Sequence, residues 1–190
     1  MLDAAAKHVR QGGPEAVAIA EVMAEAGMTV GAFYKHFESR EAIVMQAIDH
    51  MYTTSPAPLL MPEAAETPEA VLRGFLDYYL SLEHRDTRTG GCPLPFLIAD
   101  AIRLPAAARE RLSNAMNAVI DLVAGHIAAL NPPGLTLPPR ELAESITAET
   151  IGAVILARAD TDPERSARRL RDCKHAVLRR IGLDPLISIS

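Results

Sequence analysis

Three observations predict an all-α fold for this 190-residue chain. Apolar residues recur at spacings of three and four along most of its length, which places them on one face of a helix. The composition is rich in Ala and Leu, with no Trp, 4% aromatic residues and few β-branched runs, and this disfavours strands. Clusters of Gly and Pro interrupt the periodic segments where helices of ordinary length should end. About nine helices follow, arranged as an N-terminal unit over residues 1–50 and a larger C-terminal unit over 51–190.

The first helix is expected at 2–11, where Leu2, Ala5, Ala6 and Val9 fall at helical spacing until Gly12, Gly13 and Pro14 stop it. The second covers 19–25, with Val22 and Met23 on its apolar face. Ala18 holds its cap position, which forfeits about 1 kcal/mol that Ser or Thr would contribute. Gly27 stands just past its end, where a residue free to take positive φ closes the helix and reverses the chain. The third helix is expected at 29–36, with the Thr29 hydroxyl as acceptor for its first amides and Phe33 and Phe37 turned inward. The fourth starts after Ser39 and runs to about Thr53, burying Ile43, Val44, Ala47, Ile48 and Met51. Residues 55–68 carry four prolines and no periodicity, so they form the main connecting loop. Further helices are expected at 68–84, 93–103, 106–130, 139–158 and 163–181, with a polar loop from His84 to Gly91.

Length suffices for a core without disulfide or metal staples. Apolar residues at 49% and charged residues at 23% are those of an ordinary soluble globular chain. The longest apolar run falls far short of the ~20 residues that a membrane span needs, and the N-terminus lacks a signal-peptide profile. A cytoplasmic protein with no membrane partner is expected. Cys92 and Cys173 make neither a disulfide framework nor a metal motif. Six scattered histidines offer no pair at i, i+4 and none beside a cysteine, so no metal site and no cofactor are expected. Nor is there a phosphate loop, a nucleophile elbow or other catalytic spacing, and Asp77, Glu83, Asp86, Asp100 and Glu110 read as solvated helix faces. No enzyme is expected.

The stretch that carries function is Ile19 to Arg40, IAEVMAEAGMTVGAFYKHFESR. It reads as a short helix, a tight turn, a second short helix and the start of a third. With Phe33 and Phe37 inward, Thr29, Val30, Ala32, Tyr34, Lys35 and His36 are left for the outside. Two helices joined by a Gly-containing turn, the second presenting small, hydroxylic and basic residues outward, make a helix-turn-helix by mechanism.

At these residues the sequence AEAGMTVGAFYKHFESREAI resembles the most recognisable block of the tetracycline-repressor (TetR) family of bacterial transcription regulators. The family pattern has an apolar residue after the turn glycine (Met28), then Ser or Thr (Thr29), a small residue (Gly31), an aromatic pair (here Phe33 and Tyr34), a further aromatic (Phe37), and Ser-Lys-Glu opening the next helix (here Ser39, Arg40, Glu41). Gly91-Cys92-Pro93-Leu94 and GAVILARADTDPERS resemble later segments of the same family. The resemblance covers residues 2–53 well and the remainder by helix layout. It implies a helix-turn-helix DNA-binding domain followed by a helical ligand-binding and dimerisation domain.

On that resemblance the partners are a double-stranded, pseudo-palindromic DNA operator, an unidentified small-molecule effector and a second copy of the chain. The candidates for DNA contact are Thr29, Gly31, Ala32, Tyr34, Lys35, His36 and Arg40. Tyr34 and Thr29 can donate to phosphate, and Lys35 and His36 can reach phosphate or a base edge. Gly31 and Ala32 are small enough to let the helix sink into the groove, and Arg40 would lie against the DNA backbone as the family's Lys does. The charge pattern pulls the other way: residues 1–50 hold four basic side chains against seven acidic ones, whereas phosphate neutralisation supplies much of DNA affinity. Weak, salt-sensitive binding or a basic segment upstream of Met1 are the two accounts of this imbalance. A ligand-binding or interaction protein with little DNA affinity is the alternative function.

Tyr52, Phe75, Tyr78, Tyr79, Phe96, Met116 and Ile120 are the large side chains that could line an effector cavity, although each is equally at home in a core. Ala148, Gly152 and Leu156, with Ser145, line one face of the penultimate helix so that another backbone could come close. Leu170 and Val177 lie on an apolar stripe of the arginine-rich final helix. These residues are the candidates for a homodimer interface, expected from the family to form through the last two helices as a four-helix bundle.

Overall fold

The structure is a computed structural model that describes residues 1–54, 67–87, 90–99 and 101–183, the side chain of Arg103 aside. Among these residues it holds ten α-helices and no strand. They are α1 (Leu2–Gly12), α2 (Ile19–Glu25), α3 (Val30–Phe33), α4 (Arg40–Thr53), α5 (Pro68–Tyr79), α6 (Leu82–Asp86), α7 (Leu94–Leu97), α8 (Ala106–Leu130), α9 (Pro139–Ala159) and α10 (Pro163–Arg180). The expected loop at 55–68 falls largely on residues 55–66, outside the described residues.

Two expected helices are divided, each for a local reason. The one expected at 68–84 breaks after Tyr79, because the Ser81 hydroxyl accepts the His84 amide at 3.0 Å and caps a separate short helix. A serine that can bond a nearby amide competes with helix continuation. The one expected at 93–103 is reduced to α7 and a 3-10 turn at Ala101–Arg103. Pro93 and Pro95 remove two amide donors there. The helix expected at 29–36 is regular only over Val30–Phe33, and the amides of Lys35 and His36 return to Ala32 and Phe33 in tighter i to i−3 bonds.

Contacts divide the chain into two compact units, Met1–Ser55 with Arg88–Ala115 and Pro56–Thr87 with Met116–Ser190. In the first, Ala5, Ala6 and Val9 of α1 are buried together with Val22, Met23, Phe33, Phe37 and the inner face of α4 from Ile43 to Met51. Residues well beyond position 50 complete this unit. Cys92, Leu94, Leu97, Leu104, Ala108 and Leu112 are buried, Arg10 donates to the Gly91 carbonyl at 3.3 Å, and Arg111 pairs with Asp49.

The second unit is built on the α9–α10 hairpin. Leu142, Ile146, Val154 and Ala157 of α9 and Leu170, Val177 and Leu178 of α10 are buried, as are Val71, Leu72, Phe75, Leu76 and Tyr79 of α5. The hairpin turn is closed by acids. Asp162 accepts the amides of Glu164 and Arg165 at 2.9 and 3.1 Å, and Asp160 pairs with Arg165 and Arg169 at 2.6 and 3.0 Å. These bonds satisfy the open amides of α10 and fix where α9 stops.

A polar cluster fastens α6 to this hairpin. Arg158 donates to the carbonyls of His84 and Arg85, both at 2.9 Å, while Arg85 reaches the Ser166 hydroxyl at 2.9 Å and Ser166 donates to Ala157 at 2.5 Å. The His84 ring, 1% exposed, lies 5.3 and 4.7 Å from the rings of Tyr78 and Tyr79. Its Nδ1 is 2.7 Å from the Tyr79 carbonyl, an acceptor, so that nitrogen carries the proton. Burial holds the His84 pKa below its ordinary value, the Arg158 charge acts in the same sense, and the Tyr79 bond opposes both. The unfolded chain therefore binds a proton on this residue that the folded chain resists. The stability that the neutral ring contributes is present above the ordinary histidine pKa of about 6.5 and is lost as the pH falls below it. The thermal midpoint is expected to drop between pH 7 and pH 5, and His84→Phe should flatten that drop. An identical pH profile in the variant would exclude His84 as its source.

Candidate nucleic-acid interface

The turn between α2 and α3 is closed by backbone geometry that only some residues reach. Gly27 takes φ +67°, and the Met28 amide returns to Met23 at 2.8 Å while the Gly27 amide returns to Ala24 at 3.1 Å. That pair of bonds is a Schellman termination. A Cβ on Gly27 would meet nothing within 4 Å, so conformation rather than space is what glycine supplies here. α2 itself begins at Ala18 with no side-chain cap. Thr29 occupies the cap position of α3, but contrary to expectation its hydroxyl accepts no amide, and the helix starts on its carbonyl bond to Ala32 at 2.9 Å.

α3 is held from below by aromatic packing. Phe33 is fully buried, its ring stacks on Phe37 with centroids 5.4 Å apart, and Tyr34 meets it edge-on at 5.1 Å. Such pairs add about 0.5–1.5 kcal/mol beyond the area they bury. With Phe33 and Phe37 inward, Thr29, Gly31, Tyr34, Lys35 and His36 are exposed and Ala32 is half-exposed. The phenol of Tyr34 is 64% exposed, and the outward surface continues through Met28 and Val30. These two apolar residues were not among the contact candidates, and their positions flanking Thr29 were the available signal. A Cβ on Gly31 would meet only the Thr29 hydroxyl, at 3.9 Å, so packing within the chain does not require glycine at this position.

Charge is distributed unevenly around this surface. Lys7 pairs with Glu25 at 2.7 Å and Arg10 is engaged with Gly91. Arg40, placed by the sequence reading against a DNA backbone, has its guanidinium turned into the protein. It donates to the carbonyls of Val17 and Pro14 at 3.0 and 2.8 Å and to the Glu15 carboxylate at 3.0 Å. Lys35 is the one basic side chain of residues 1–50 with no hydrogen bond or ion pair among the described residues.

The remaining candidates are dispersed. Tyr52 and Phe96 fall in the first unit, and Phe75, Tyr78, Tyr79, Met116 and Ile120 in the second. Phe75, Tyr79 and Ile120 are buried in the core of theirs. The Tyr52 hydroxyl is buried with no hydrogen-bond partner among the described residues, and burial pushes the phenol pKa above its ordinary range. On the hairpin, Leu170 and Val177 are 1% and 0% exposed within the single chain, where they pack in the intramolecular core of the hairpin. Ala148 and Leu156 point outward, Leu156 with 57% exposure, and flank a half-exposed Gly152. Gly152 and Leu156 border a groove of about 470 Å³ lined also by Glu149, Ala153, Arg169, Asp172 and Cys173.

Comparison with known proteins agrees with the helix-turn-helix geometry. Residues 1–47 match the model of bacterial regulatory proteins of the tetR family, and residues 68–173 match that of the tetracyclin repressor-like C-terminal domain. No curated protein matches the chain. Among solved structures, a TetR transcriptional regulator from Chloroflexus aurantiacus is similar at 22% identity and a TM-score of 0.79, over 96% of this chain and 92% of that one. A TetR-family regulator from Agrobacterium tumefaciens follows at 20% and 0.78, over 94% of each chain. The reduced form of E. coli NemR is similar at 20% and 0.75, over 93% of this chain and 94% of that one. At these identities the likeness is one of fold, and it extends over almost the whole chain. Among the described residues no helix is long and apolar enough to cross a membrane. With an N-terminal helix-turn-helix closed on Gly27 and anchored by Phe33, and a C-terminal part that matches its own model, the chain belongs to the tetR family of bacterial regulatory proteins.

Proposed function

We propose that the protein is a ligand-responsive transcription regulator of the cytoplasm, a repressor that binds a pseudo-palindromic operator as a homodimer and releases it when a small molecule enters the C-terminal part. The observation that carries the reading is the outward surface of α3 and its flanks. Thr29, Gly31, Ala32, Tyr34, Lys35 and His36 lie together there, with hydroxyls and a cation that no group among the described residues engages. Tyr34, Thr29 and Lys35 suit phosphate oxygens, His36 and Lys35 suit base edges, and Val30 adds apolar surface suited to a thymine methyl. Gly31 costs helix stability without serving the interior, which fits a surface that must come close to DNA.

The homodimer part of the proposal rests on Ala148, Gly152 and Leu156. A Cβ on Gly152 would meet nothing within 4 Å among the described residues, so a small residue there leaves room for a second helix. A two-fold pairing of hairpins would set the spacing of two reading helices to whole turns of DNA. An effector that prefers the conformer with mis-spaced heads lowers operator affinity by that same preference.

A second reading, a ligand-binding or interaction protein with little DNA affinity, is favoured by the charges. Residues 1–50 carry seven acids against four bases, and of these bases Lys35 alone is without a partner among the described residues. Fluorescence anisotropy with DNA flanking the protein's own gene, titrated from low to physiological salt, separates the two. The regulator binds this DNA in preference to random sequence, and Tyr34→Ala weakens it. Lys35→Ala lowers the salt slope by about 1 per head. No preference over random DNA supports the second reading.

Two further outcomes are expected. Gly31→Ala should raise thermal stability, by up to about 0.5–1 kcal/mol, while weakening specific DNA binding. A variant that gains in both would remove the close-approach argument. Leu156→Glu should convert the dimer to monomer in sedimentation analysis and lower operator affinity with it, and an unchanged dimer would place the interface elsewhere.

A further inference from the structure

The geometry points to Arg40 as a positioning residue that ties together the two ends of the helix-turn-helix, in place of a contact to DNA phosphate. The inference rests on the DNA-binding reading above and concerns how the reading helices are held. Arg40 is the first residue of α4, directly after Ser39, whose hydroxyl accepts the Ala42 amide at 3.1 Å and so fixes where that helix begins. From there the guanidinium reaches back across 23 residues to the segment that leads into α2. Nε donates to the Val17 carbonyl at 3.0 Å, and Nη2 donates to the Pro14 carbonyl at 2.8 Å and to Glu15 at 3.0 Å. Nη1 lies 3.7 Å from Glu41. All three nitrogens therefore face acceptors of the chain, and two carboxylates offset the charge that a phosphate would need.

The segment that Arg40 grips is a single 3-10 turn, Pro14–Ala16, followed by the buried Val17. α2 starts at Ala18 without a side-chain cap, so its first turn lacks the bond that ordinarily fixes a helix start. The approach to it is tight as well: Gly13 turns the chain at φ +78°, and a Cβ on Gly12 would stand 2.5 Å from that of Ala16. Val17 is buried, yet its carbonyl is available to an arginine fork. The planar guanidinium can bond two carbonyls and a carboxylate along adjacent edges, whereas a lysine ammonium at the same position supplies charge without the fork. Charge and geometry can thus be separated by substitution.

The test compares Arg40→Lys and Arg40→Gln with wild type in the full-length dimer. Amide hydrogen exchange without DNA is read first. Both variants are expected to raise exchange at Ala16, Val17 and Val22 by about tenfold, the scale of one lost charge-assisted hydrogen bond. Anisotropy with the operator comes second: both variants lose about tenfold in specific affinity, and the salt slope of each equals that of wild type. A phosphate contact gives the opposite pattern, with Arg40→Lys close to wild type and the slope of Arg40→Gln reduced by about 0.9 for each head. Exchange unchanged in both variants, or full affinity in Arg40→Lys, overturns the proposal. If wild type has no operator preference, the regulator reading fails instead, and the exchange measurement alone decides whether Arg40 positions α2.

Discussion

Everything this protein presents to its surroundings at the N-terminal end depends on the burial of Phe33 against Phe37. α3 is a single regular turn, far too short to be helical by its own propensity, because the first turn of a helix fixes several residues for one hydrogen bond. Its place is imposed by the two rings beneath it, by Val22 and Met23 of α2, and by the inner face of α4. Once the rings face inward, helical geometry leaves Thr29, Tyr34, Lys35 and His36 no choice but to face outward. The surface chemistry is thus a consequence of where two phenylalanines are buried.

The same unit uses its charges inwardly. Three of the four basic side chains in residues 1–50 hold one segment to another: Lys7 joins α1 to α2, Arg10 reaches Gly91, and Arg40 joins the start of α4 to the entrance of α2. Exposed pairs of this kind contribute little to stability one at a time. Bonds from an arginine to buried or half-buried carbonyls are worth more, because they are charge-assisted and lie in part out of reach of water. A head built in this way trades long-range attraction to phosphate for a well-defined arrangement of its helices.

The second unit shows a comparable division on the α9–α10 hairpin. α9 carries apolar residues around much of its circumference and α10 one apolar stripe beside its arginines, and the bonds around Asp160, Asp162, Ser166 and Arg158 set the rotation of the hairpin and the seat of α6 against it. Leu170 and Val177 are turned inward by that rotation, and Ala148, Gly152 and Leu156 outward. An apolar stripe with a small residue at its centre is left uncovered in the single chain.

The sequence by itself determined the helical class, most helix limits and the helix-turn-helix, because these rest on local rules: periodicity, Gly27 at a position that requires positive φ, Ser39 as a cap, and an aromatic spacing that matches a known family. Short-range competition escaped it where capping and continuation are close in energy, as at Ser81, or where two prolines thin the amide supply, as at Pro93 and Pro95. Only the tertiary structure decided which members of an apolar stripe are core and which are surface, since Leu170 and Leu156 look alike until the partner helix is in place. It also decided the fate of charges. Lys35 and Arg40 lie five positions apart and carry the same sign, yet one is left in solvent and the other is drawn into carbonyls 23 and 26 residues upstream. Long-range hydrogen bonds leave no periodic trace in a sequence, because their partners are brought together only when the whole unit closes.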